Sequence, residues 1–148
     1  MDGVYALAGV AIGGLSTWLL ARSQWGNALK EKRRDEVLAL VSEFLRDVDT
    51  VWSAKQSLVY SVLEIQADQG NKEGWERRSA AFEEGRMPAR NAGLSLPRMH
   101  FLIPDIAPSA AKLLTCAHTF TLEESEQNKA DYAAAVGEFY RAAQPHIS

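Results

Sequence analysis

Nineteen consecutive residues without a formal charge, Gly3 to Ala21 (GVYALAGVAIGGLSTWLLA), constrain this chain more than any other feature. As a helix they would rise about 28 Å, close to the roughly 30 Å hydrocarbon core of a bilayer. Val4, Leu7, Val10, Ile12, Leu15, Leu19 and Leu20 each favour insertion by roughly 0.3 to 0.6 kcal/mol, about 2 to 4 kcal/mol before the Gly, Ser and Thr positions subtract. The alternative is a buried helix of a globular domain, since Gly3, Gly9, Gly13, Gly14, Ser16 and Thr17 dilute the apolarity; the length favours a span. A cleaved signal peptide would place Lys or Arg ahead of the apolar run, where this chain has Asp2. The pattern predicts an uncleaved transmembrane anchor over 1–22.

Orientation follows from the flanks, because cations beside a span resist translocation. Arg22, Lys30, Lys32, Arg33 and Arg34 follow the apolar run against a single acid, Glu31. The expectation is a single-pass protein of the cell membrane with its N-terminus outside, a basic juxtamembrane segment over 23–36, and a cytoplasmic domain over 37–148. Tyr5, Trp18 and Trp25 suit the two interfacial belts. The five cations are candidate lipid headgroup contacts, each worth up to about 1 kcal/mol beside anionic lipid. Residues 35–148 reverse the sign, with eleven cations against seventeen acids, which disfavours nucleic acid as a partner. Cys116 is the only cysteine, so an intrachain disulfide is excluded.

Beyond the anchor the periodicity is helical. Val37, Val41, Phe44, Val48, Val51, Leu58, Val62 and Ile65 recur in steps of four and three, broken only at Lys55, and Leu38, Leu45, Trp52 and Val59 widen the stripe. A stripe this broad suits a bundle helix, running from about Asn27 to Ala67 and stopping at Gly70 and Asn71. Asn71 or Lys72 opens the next helix through Trp75 and Phe82, but Gly85, Pro88, Gly93 and Pro97 predict two short helices or a kinked one. Leu94, Leu96, Met99, Leu102 and Ile103 are expected to pack. Pro104 and Asp105 make a turn, and Pro108 sits in the first turn of a helix burying Ile106, Ala110, Leu113, Leu114, Ala117 and Phe120. Thr121 to Glu124 has capping-box spacing, and the last helix would carry Ala133, Val136, Phe139, Tyr140 and Ala143 inward and stop at Pro145. The fold class is all-α: one N-terminal transmembrane helix followed by an antiparallel bundle of about four helices.

Candidate chemistry is sparse. Gly9, Gly13, Thr17 and Ala21 form a small-residue stripe within the anchor, which would let two spans approach closely and support a homodimer. Cys116 and His118, two apart on a helix, face different sides and make a poor nucleophile–base pair. His100 beside Arg98, with Asp105 nearby, is the one candidate polar constellation for an enzyme. Without HExxH, CxxC or paired-carboxylate spacing, no metal, cofactor or catalytic residue is expected. Glycines 85 and 93 lack the ending of a phosphate-binding loop.

The Gly/Ala-rich span ending in Trp-Leu-Leu-Ala-Arg, the basic helix start EKRRDEVLALVSEFLRDVD and the later LPRMHFLIPDIAPSAAKLL together resemble uncharacterised single-pass membrane-anchored helical proteins of actinobacteria and their phages. The resemblance implies a membrane-anchored bundle and carries no activity with it. From the residues themselves the expected function is a membrane-tethered interaction or scaffold module without enzymatic activity, with another protein bound through the bundle. Two other classes stay open: a membrane-active effector such as a phage exclusion, holin-like or toxin-like protein, and an enzyme with an unrecognised helical site.

Overall fold

The computed structural model describes the backbone of residues 2–147 and the side chains of residues 28–147. Among the described residues there are four helices and no strand: α1 (Asp2–Ala67), α2 (Lys72–Leu102), α3 (Ala107–His118) and α4 (Ser125–Ile147). The chain divides into two units, Met1–Glu36 and Val37–Ser148, and the core lies in the second. The expected anchor over 1–22, with Gly9, Gly13, Thr17, Ala21 and Arg22, lies outside the residues whose side chains are described. Among the described residues no helix is long and apolar enough to cross a membrane.

Local chemistry sets the helix ends. After α1, the Gly70 amide donates to Asp68 Oδ1 at 2.9 Å and Asn71 caps α2 by accepting from the Gly74 amide at 2.9 Å. Such a side-chain cap satisfies one of the orphan amides of a first turn. α3 begins with Pro108 in its first turn, where the missing N–H costs nothing. The connection into α4 is held from inside that helix. Buried Asn128 accepts the Thr121 amide at 2.6 Å through Oδ1, and its own amide donates to the Glu124 carbonyl at 2.7 Å.

Cross-helix pairs fix the topology of the second unit. Ile65 lies against Gly74, Arg77 pairs with Glu64, and Gly85 faces Ala54, so α2 runs antiparallel to α1. Phe44 meets Phe139 at 5.4 Å between ring centroids and Trp52 stacks on Tyr132 at 4.3 Å, so α4 is also antiparallel to α1. Lys112 and Glu138, 2.7 Å apart, tie α3 to α4. The result is an up-down-up-down bundle. Its core is Leu40, Phe44 and Val48 of α1, Ala92 and Met99 of α2, Leu113 and Ala117 of α3, and Phe139 and Ala143 of α4. Phe120 closes it edge-on to Trp52 at 5.3 Å. Geometries of this kind are worth about 0.5–1.5 kcal/mol per aromatic pair beyond area burial.

Several expectations from sequence are corrected. Of the two alternatives for the middle stretch, two short helices are ruled out: Lys72–Leu102 is one helix with Pro88 and Pro97 inside it. The carbonyls that the two prolines leave without a donor belong to Glu84 and Gly93, both exposed residues within reach of water, while Ala81, Ala92, Ser95 and Met99 stay buried on either side. Leu94, expected to pack, is exposed. The capping box does not form: α4 starts at Ser125, and the Thr121 hydroxyl turns to Asn128 instead of the Glu124 amide. α4 then buries Ala135 and half-buries Tyr132, where Ala133 and Tyr140 were expected inward, and it runs through Pro145 to Ile147. Leu40, outside the predicted stripe, is almost fully buried, while Leu38 is exposed.

Two predictions follow from this packing. A Cβ on Gly85 would sit 3.0 Å from the Ala54 Cβ, so Gly85→Ala should lower stability by a net of about 1 kcal/mol, overpacking outweighing the gain in helix propensity. Adding Ala54→Gly should recover part of the loss; urea denaturation of the full chain measures both. Burial pushes the Tyr132 hydroxyl up from 10.0 to about 12, with Asp49 and Tyr140 adding to the shift. Between those values the unfolded chain binds fewer protons than the native one, so stability falls as pH rises from about 10 to about 12. Tyr132→Phe should make that fall shallower in the same denaturation series.

Candidate functional site

α3 has twelve residues and α2 has thirty-one. α3 ends at His118, which shares a lining with Lys55 of α1 and Arg86 of α2. The α1–α2 hairpin continues past that level, through Leu58 and Val62 on one helix and Phe82 and Trp75 on the other. On the α3 side this leaves a continuous groove. Its portion beside His118 is about 300 Å³ and its portion beside Trp75 about 460 Å³, with Leu58 and Phe82 common to both.

The floor is apolar and the rim is cationic. Val51, Ala54, Leu58, Val62, Ala81 and Ala89 supply aliphatic surface, and Phe82 and Trp75 stand 60% and 47% exposed beside them. Lys55, Arg78 and Arg86 line the groove, and among the described residues no carboxylate does. The Arg78 guanidinium lies 5.3 Å from the centre of the Trp75 ring, and Arg86 Nε is 3.3 Å from Glu83 one turn back. Lys55 is half-buried and, among the described residues, has no carboxylate within 4.0 Å. Its stem can lie along the apolar floor with the ammonium at the rim.

The other side of the same hairpin has a different character. Ser57, Tyr60, Ser61, Ala80 and Ala81 line it with Glu64, Glu84 and Arg77, and Arg77 is spent on Glu64. Tyr60 there reaches the ring of Phe120, 6.1 Å away. The two faces thus carry opposite net charge.

The residues singled out from sequence fall elsewhere. Lys30, Lys32, Arg33 and Arg34 are exposed on α1. Arg98, His100 and Asp105 are each exposed, and none lines the groove. Cys116 is half-buried while His118 is exposed, and burial, then the field of Asp131, pushes the thiol up, Lys112 opposing. That favours the protonated, unreactive form. Among the described residues no group of three His, Cys, Asp or Glu side chains could hold a metal ion. The groove itself was not identified from sequence. Its visible trace was Lys55, the one break in the α1 stripe, together with Trp75 and Phe82, seven apart on α2.

The fold and this groove define a four-helix bundle with one helix pair longer than the other. No family model, curated protein or solved structure matches the chain.

Proposed function

We propose that this chain is a membrane-tethered protein-interaction module that works without chemistry of its own. The single observation that carries the reading is the groove: large apolar side chains left uncovered on a rigid helix pair are the ordinary substrate of helix-in-groove recognition. The uncharged stretch 3–21 and the basic flank of Arg22, Lys30, Lys32, Arg33 and Arg34 support a tether in the cell membrane with the bundle on the cytoplasmic side. The stripe of Gly9, Gly13, Thr17 and Ala21 supports pairing of spans, which would present two bundles together and raise avidity.

A photoreactive amino acid at position 82 of the full chain, compared with one at the exposed position 115 on α3, tests both halves of this reading in cells. The chain should stay with membranes through an alkaline carbonate wash, and position 82 alone should give a discrete adduct. Release by carbonate would end the tether, and equal adducts from 82 and 115 would end the groove as a docking face.

A further inference from the structure

The groove has a length, a width and a sign, and together these describe its occupant. From Trp75 to Ala89 the floor follows α2 for about 21 Å, the rise of some fourteen helical residues. It begins where α3 stops, on the side of the hairpin that α3 covers lower down. A body of helical diameter placed there would extend the third column of the bundle and cover Leu58, Val62, Phe82 and Trp75 as α3 covers Ala92 and Met99.

The rim sets the charge. Lys55, Arg78 and Arg86 face this space in a domain where acids outnumber bases, and Lys55 has no carboxylate beside it among the described residues. A half-buried lysine at a position where the α1 stripe calls for an apolar side chain gives up apolar packing there and leaves a cation at the rim for an acceptor to meet. A second copy seated groove to groove does not supply one. Two-fold pairing of one patch with itself sets Lys55, Arg78 and Arg86 against their own copies, cation facing cation.

We infer that the groove receives an amphipathic helix of about fourteen residues from a different protein, with an apolar face on Leu58, Val62, Phe82 and Trp75 and acidic flanks on Lys55, Arg78 and Arg86. The inference rests on the groove being the docking face and adds the chemistry of the partner. The apolar strip gives affinity, and the rim selects among amphipathic helices by the sign of their flanks.

Two stapled fourteen-residue helices test this on the full chain in detergent, one with leucine on one face and glutamate on both flanks, the other identical but with lysine for glutamate. Fluorescence anisotropy of the labelled helices should give about ten-fold tighter binding of the acidic one, the sum of three partly exposed ion pairs. High salt should shrink that preference. Lys55→Glu should reduce or reverse the preference while leaving the basic helix bound. Phe82→Ser, at a side chain more than half exposed and so harmless to folding, should weaken both helices. Equal binding of the two helices, both weakened by Phe82→Ser, would overturn the acidic partner and leave the docking face standing. Binding indifferent to Phe82→Ser would overturn both, as would self-association of the chain that Phe82→Ser abolishes and neither helix displaces.

Discussion

A helix of twelve residues lies in a bundle beside one of thirty-one, and at about 1.5 Å per residue the shorter leaves about 28 Å of the longer without that neighbour. The brevity of α3 has local causes. Pro104 and Pro108 confine its start to the turn at Ile106, and its end at His118 hands the chain to Phe120, which must turn inward to close the core against Trp52. α4 cannot compensate, because its first buried residue, Asn128, holds the connection at Thr121. The hairpin of α1 and α2 therefore projects beyond the part of the bundle that four helices share, and its apolar residues keep the faces that a third helix would have covered.

What lets that hairpin stand is close approach. Gly74 against Ile65 and Gly85 against Ala54 bring the two backbones together, with buried Ala81 and Ser61 between. Small residues at such contacts shorten the distance between helix axes. Two prolines in α2 would each cost about 3 kcal/mol in an isolated helix, and the packing of α2 onto α1 and α3 outweighs that cost. Rigid backbone with uncovered side chains is the combination a docking face needs, since little order has to be gained on binding.

Much of the fold is legible in the sequence wherever one signal acts alone. Gly70 and Asn71 mark the end of α1, Pro108 marks the start of α3, and steps of four and three pick out Val37, Val41, Phe44, Val48 and Val51, all buried. The signals fail where tertiary packing overrides them. Pro88 and Pro97 read as a break or a kink, and with burial on both sides α2 stays one helix. Leu58 and Val62 continue the α1 stripe in perfect register but are only half-buried, because nothing in their own spacing says that α3 ends early. The capping spacing at Thr121 loses to Asn128, seven residues on, and the buried face of α4 rotates accordingly. As for the groove, its aliphatic residues look like ordinary core in the sequence, and on α1 Lys55 departs from that pattern.

Lys55 is consequently the residue that distinguishes a docking groove from unfinished core: it interrupts the apolar stripe of α1 and, among the described residues, has no carboxylate beside it. Its replacement by leucine separates the two in a single denaturation measurement on the full chain in detergent. Lys55→Leu should leave stability unchanged or raise it by about 0.5–1 kcal/mol, since the new side chain buries apolar surface against Leu58 and Phe82 and gives up no ion pair. A loss of about 1 kcal/mol or more would make Lys55 a structural element of the hairpin and contradict the reading of the groove as a site held open for a partner.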